Sequence, residues 1–326
     1  MKNIFNGGKM ADKTLVEQNS EYIQNMPEWG QELSLKYCAK TVNLYFVSGN
    51  IRDLLPYKYT DDSTGTFIFV PIKDWISTVL FGNDGIIIFY DSSQGISFAF
   101  ERDRKNYEAV MSRIYPHEDQ VNFFSNDPMV ALDYIEKFFR QMYYDQQTMK
   151  EPTRIVLILD YAETIVPAGE IYSLNEADRY CLVTLNRWAN EPMFIRHDIS
   201  IVMVTENIND INPRLASLAS TAKVTIPLPD EQIRTGYLSA LKSGAEPDLE
   251  LNTARGVSVF ALGKLSAGLN LTNLYQLVAD AYQARVPITL DYLAQKKKDI
   301  IEKDADGLLT FVETKHTLDY FAGNEF

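Results

Sequence analysis

Four apolar runs constrain this chain most: Leu44–Val47 in NLYFVSGN, Ile86–Tyr90 in GIIIFYD, Ile155–Leu159 in RIVLILD and Ile199–Val204 in ISIVMVTE. Each is short, rich in β-branched and aromatic residues, and lacks polar alternation. That is the pattern of strands buried on both faces, expected near 43–48, 86–90, 154–159 and 200–205. TFIFV (66–70) reads as a further strand stopped by Pro71. Helical patterns lie between the runs: a short helix near 28–40, IKDWISTVLFG, RDRKNYEAVMSRIY, and NDPMVALDYIEKFFRQMYY, where Asp127 caps and Pro128 takes the first helical position. SLNE (173–176) reads as a capping box opening a helix through Trp188. AKVTIPLPDEQIRTGYLSAL reads as a short strand, a turn and a helix capped by Asp230.

Buried strands alternating with helices predict an α/β domain with a mainly parallel sheet covered by helices on both faces. From about residue 245 the strand signals stop. VSVFALGKL, LTNLYQLVADAY and LDYLAQKKKDII read as three helices of a small all-helical domain. The expected organisation is an N-terminal arm (1–27), the α/β domain (28–244), the helical domain (245–304) and a linker (305–326).

Composition narrows the function classes. With 326 residues and 46% hydrophobic content the chain has enough apolar surface for a sizeable core. A net charge of −13 opposes sequence-independent nucleic-acid binding. The basic run Lys296–Lys298 is flanked by acids at helical spacing and reads as a solvated helix face. No run is long enough to cross a bilayer and no secretory signal is seen, so no membrane insertion and a cytoplasmic location are expected. Cys38 and Cys181 read as reduced thiols, and His117, His197 and His316 have no ligand spacing.

IIIFYDSSQGISFAF (86–100) places a Ser-Ser-Gln-Gly turn between two strand-forming runs. That predicts a hairpin turning at 92–95, with no helix beginning at 96. Asp91 with Asp103 and Lys105 also matches a loose metal-nuclease pattern, two acids and a lysine, kept as a remote alternative. Gly263-Lys264 resembles the end of a phosphate-binding loop, but Ser258 stands where such a loop needs glycine and Leu265 where it needs Ser or Thr.

Four landmarks then occur in order. LILDYAE (157–163) ends an apolar strand in acids, IVMVTEN (201–207) ends one in asparagine, IPLPDEQIR (226–234) forms strand, turn and helix, and LSAGLNLTNLYQLVADA (265–281) forms a helix after a glycine turn. In this order they resemble AAA+ ATPases. Over nearly its whole length the chain resembles the degenerate N-terminal half of two-part bacterial and plastid AAA proteins, where a second, complete AAA module follows a join like GLLTFVETKHTLDYFAGNEF (307–326).

The resemblance implies ATP and Mg²⁺ sites, and the residues depart from them. Asp160 matches the metal-side aspartate and is the metal residue if nucleotide binds. Tyr161 stands where the catalytic glutamate is usual; a phenol with a pKa near ~10 is a poor base for water at neutral pH. Glu163 matches the second acidic position and Asn207 the sensor, and Asn207 also fits a plain Asx turn. The phosphate cradle is expected in the segment after Ile86–Tyr90, where Ser92, Ser93, Gly95 and Ser97 are the candidate nucleotide contacts, without a lysine and beside the acid Asp91. Lys223 and Arg214 are the nearest basic residues to the usual arginine-finger place, and the lid helix carries no arginine. The expectation is a catalytically degenerate AAA+ domain, a pseudo-ATPase without cofactor, working beside a neighbouring AAA module in cis or in an oligomer and not on nucleic acid. The alternative is an active Mg-dependent ATPase with non-standard site residues.

Overall fold

A computed structural model describes residues 23, 26–58, 67–82, 85–116, 122–147, 153–244 and 249–304. The expected linker, most of the expected arm, His117 and His316 lie outside the described residues.

Six strands form the central sheet: β1 (Leu44–Gly49), β4 (Ile86–Asp91), β5 (Gly95–Phe98), β6 (Ile155–Leu159), β7 (Ile199–Val204) and β8 (Thr221–Ile226). Their order is β5-β4-β6-β7-β1-β8, parallel throughout except for the antiparallel edge strand β5. A separate antiparallel pair, β2 (Leu55–Lys58) and β3 (Phe67–Val70), follows β1. The expected sheet is therefore present, including the hairpin that turns between Asp91 and Gly95.

The apolar runs lack polar alternation because both faces are buried. Leu44 and Phe46, Ile86 and Ile88, Ile155, Leu157 and Leu159, and Ile199, Ile201 and Met203 pack into one core. Tyr45 and Val47, Ile87, Val156 and Ile158, and Val202 and Val204 pack into the other. Residues of α3 (Glu101–Ile114), α4 (Pro128–Gln146), α5 (Glu176–Ala189) and α6 (Pro192–Arg196) fill the first core. Residues of α1 (Glu28–Cys38) and of the segment Ile72–Leu80 fill the second. That segment, expected as a plain short helix, is one α-helical turn, α2 (Ile72–Asp74), running into a π-helix, Trp75–Leu80. Trp75 and Ile76 are wholly buried there.

Helix α4 starts as expected: Asp127 accepts from the amides of Met129 and Val130, and Pro128 needs no acceptor. The capping box of α5 is displaced from Ser173–Glu176 to Asn175 and Asp178, whose side chains bond each other's backbone N–H groups. Ser173 instead closes a turn onto the Glu170 carbonyl. Among the described residues no helix is long and apolar enough to cross a membrane.

The sheet unit ends at Leu228 and the helical unit begins at Pro229. The sequence reading draws that line at 245; the difference is helix α8 (Glu231–Lys242), capped by Asp230 as expected. It belongs with the helical unit because it packs closely on α9 (Val259–Leu265). A Cβ on Gly263 would lie 2.1 Å from the Thr235 hydroxyl, so glycine there serves helix contact. Buried Arg234 donates to the Pro229 and Gly263 carbonyls and the Ser266 hydroxyl, tying both helices together. Helices α10 (Leu271–Gln283) and α11 (Leu290–Asp304) complete the unit. Lys296 pairs with Asp280, and Lys297 donates to the Leu265 carbonyl.

Candidate functional site

In open parallel sheets, ligands sit beyond the carboxyl ends of the strands, at the crevice where the crossovers change side. Here the chain leaves β1 towards β4, returns through β6 and β7, and crosses to β8 on the far side. The segment in the place of a phosphate loop is therefore 49–54, after the first parallel strand. The sequence reading places it at 92–97, because the run 86–90 carries the stronger signal and strand order is not written locally.

The segment after β1 is short and leads into a strand. Gly49 has φ +94°, and a Cβ on it would meet the Ile226 carbonyl oxygen at 2.4 Å, so only glycine fits. The Gly49 amide donates to the Glu206 carbonyl (3.0 Å), Asn50 to that of Ile226 (2.9 Å) and Ile51 to that of Gly49 (2.7 Å). The Asn50 side chain bonds buried Asp53 (2.9 Å). β2 then begins at Leu55, so the segment leads into a strand and not into a helix.

Asp160 follows β6 and is held from several sides. Its amide donates to the Tyr90 carbonyl (3.0 Å). Its Oδ1 accepts from Arg52 Nη1 (2.8 Å) and from the Tyr161 amide (2.9 Å). Its Oδ2 lies 3.3 Å from Lys73 Nζ. Asp91, at the end of β4, accepts the amides of Ser93 (2.9 Å) and Gln94 (2.8 Å) on Oδ1, and its Oδ2 lies 3.6 Å from the same Lys73 Nζ. Arg52 also reaches Glu206, Nε to Oε1 3.4 Å. Its guanidinium lies 3.8 Å from the centroid of the Tyr161 ring, a cation–π stack. Burial disfavours the Arg52 charge, but Asp160 outweighs it and raises the pKa.

Tyr161 has φ +51°, the left-handed region that a bulky side chain enters at a cost. This turns the chain into a 3₁₀ turn, Ala162–Thr164. Glu163 is half-buried there, with a shielded Oε2 that has no hydrogen-bond partner among the described residues. Asn207 is exposed and makes the expected Asx turn, accepting the Asn209 amide (3.0 Å).

The remaining sequence candidates have structural surroundings. Ser92 faces the Thr164 hydroxyl (3.3 Å), Ser93 gives its amide to Asp91, and Ser97 pairs with Phe89 in the hairpin. Gly95 has φ +76° and sits against the backbone at Phe124 and Ser125. Arg214 and Lys223 are exposed, on α7 (Pro213–Ala216) and β8. The nuclease pattern does not assemble. Asp103 accepts the amide of Ile87 near the start of β4, whereas Asp91 ends it, about 13 Å away at the strand's rise per residue.

Sequence reasoning missed Arg52, Lys73 and Glu206. Only Arg52 had a local signal, a strand-glycine turn in SGNIRD; Lys73 reaches both aspartates only through the fold.

A family model described as "AAA+ chaperone, N-terminal Rossmann-like domain" matches residues 16–227. A second, "AAA+ chaperone, second helical domain", matches residues 232–306. The chain belongs to the AAA+ chaperone family. The two family matches meet where the sheet and helical units of this AAA+ chaperone chain divide. Among solved structures, a chain in "Structure of E. coli MS115-1 HORMA:CdnC:Trip13 complex" is similar at 14% identity, over 87% of this chain and 86% of that chain, with a TM-score of 0.47. No curated protein matches.

Proposed function

We propose that this AAA+ domain is catalytically degenerate and acts as a structural or regulatory element beside an active AAA module, in the same polypeptide or in an oligomer. The supporting observation is the fate of the backbone N–H groups that a nucleotide would need. A phosphate cradle is a run of free amides, opened by glycines and backed by a lysine and a helix N-terminus. Here the amides of Gly49, Asn50 and Ile51 already bond the chain's own carbonyls. Those of Ser93 and Gln94 are bonded to Asp91. No lysine lies in 49–54, and a strand follows that segment. The residues present do not fit ATP with Mg²⁺.

What the arrangement supports is a fixed edge. Arg52 and Asp160 join the ends of β1 and β6, and Arg52 with Glu206 adds the end of β7. The sheet unit then holds its shape without ligand, which suits a part that positions neighbours.

Two measurements test this. Calorimetric titration of the chain with ATP, with and without Mg²⁺, is expected to give no binding heat up to millimolar nucleotide. Phosphate release is expected to equal the buffer control, with Asp160→Ala and Glu163→Gln unchanged from the parent. Turnover in the parent that either substitution abolishes overturns the reading and restores the active ATPase.

A further inference from the structure

We infer that Lys73 is a built-in cation standing where two strand-end aspartates would otherwise share a divalent metal ion. Three observations carry this. Asp91 and Asp160 end neighbouring parallel strands, β4 and β6, and their side chains are 8% and 5% exposed. One oxygen of each faces a single ammonium, at 3.6 and 3.3 Å. The opposite oxygens are committed elsewhere: that of Asp160 to Arg52 and the Tyr161 amide, that of Asp91 to two turn amides.

One oxygen of each buried carboxylate faces the same point, and a cation placed there is attracted by both. A divalent ion bound through one or two carboxylates is one solution, and a lysine ammonium is another. Lys73 arrives on the single α-helical turn Ile72–Asp74, fixed by Pro71 before it and by the π-helix with buried Trp75 and Ile76 after it. The side chain is thereby anchored at its base and 29% exposed. The Phe89 ring lies 5.6 Å from Nζ and covers one side. Metal–oxygen bonds are about 2.1 Å for Mg²⁺, so an ion in place of the ammonium would draw each carboxylate in by more than an ångström.

The device is independent of the nucleotide reading: a chain that binds ATP without metal sinks that reading and leaves this one. It predicts a metal-indifferent parent and a metal-responsive variant. The thermal midpoint of the full chain is expected to be the same in EDTA, MgCl₂ and MnCl₂. Lys73→Met is expected to melt lower in EDTA and to recover with Mn²⁺ or Mg²⁺, by roughly 3–6 °C at ten times the dissociation constant. Lys73→Arg keeps the charge and is expected to stay indifferent. Adding Asp91→Asn to Lys73→Met is expected to restore stability in EDTA and abolish the metal response. A parent stabilised by Mg²⁺ alone overturns the inference. So does a Lys73→Met chain that loses stability without any cation response. If Lys73→Met does not fold in EDTA, folding on adding Mn²⁺ or on adding Asp91→Asn supports the inference, and failure of both overturns it.

Discussion

Asp198 offers the most direct test of how the amino ends of the strands are held. It precedes β7 and is 13% exposed at its side chain. Its carboxylate accepts the Tyr37 hydroxyl at 2.8 and 3.0 Å, and lies 3.3 Å from Arg154 Nε and 3.4 Å from Lys40 Nζ. It thus joins α1, the start of β6 and the start of β7. Burial first, then Asp198, pushes the Tyr37 phenol up, so it stays a donor across the accessible pH range. Lys40 is 43% exposed, so solvent screens its pair with Asp198 and it contributes little. The hydroxyl bond to a charged acceptor and the Arg154 pair remain, together about 2–3 kcal/mol after screening. Asp198→Asn keeps one acceptor and loses the charge, so a loss of about 1.5–2 kcal/mol is expected, or roughly 3–8 °C in melting temperature. Asp198 also has φ +53°, which Asn tolerates and Ala does not. Asp198→Ala is therefore expected to cost about 1 kcal/mol more than Asn. The assay is urea denaturation at pH 7 followed by tryptophan fluorescence, with Tyr37→Phe closing a double-mutant cycle expected to show about 1 kcal/mol of coupling. An Asn variant within 0.5 kcal/mol of the parent, or Ala no worse than Asn, refutes the account.

Two further outcomes follow from other polar contacts. Glu136 on α4 binds Arg187 of α5 through both oxygens (2.6 and 2.5 Å) and Arg140 (2.8 Å). Burial opposes its charge, but these arginines hold its pKa down at about 2. The folded pKa is below the unfolded one, so the stabilisation is complete above about pH 4.5 and disappears as pH falls towards 2. With both arginines more than a third exposed, Glu136→Gln is expected to cost about 1–2 kcal/mol at pH 7 and to match the parent near pH 2, read by denaturant midpoints across pH. In the helical unit, Arg234→Lys keeps the charge but cannot span two carbonyls and a hydroxyl. A cost of about 2 kcal/mol is expected, seen as faster amide exchange at Leu262–Ser266; unchanged exchange there would count against the bridge.

What could be read from the sequence was what is local. The apolar runs gave the strands because a strand buried on both faces needs no second partner to be recognised. Asp127-Pro128 and Asp230 gave helix starts because caps act within three residues. The hairpin at 92–95 was legible because ISFAF is strand-like on its own. The capping box slipped by two residues because Ser173 and Asn175 both suit the position, and only the Glu170 turn decides between them. The place of β1 between β7 and β8 was not legible, since it depends on crossovers, and the phosphate-loop position was misassigned with it. Lys73 was invisible for a similar reason: nothing near it in sequence hints at two aspartates. The junction at Leu228 was drawn too late because α8 is an ordinary amphipathic helix whose partner, Gly263, lies further on.

The sheet's pairing also fixes an order of events during synthesis. β1 is the first strand of the sheet to leave the ribosome, yet both its neighbours, β7 and β8, come near the end of the sheet unit. β4 and β5, by contrast, pair as soon as Phe98 is made, and β6 joins them next. At about 5–20 residues per second, Leu44–Val47 wait roughly ten to thirty-five seconds before Ile226 completes their surroundings. Four consecutive apolar side chains have no native strand partner until β7 is made, which is most of that time. A segment flanked on both sides in the finished sheet is thus the one most open to wrong partners while the chain is being made.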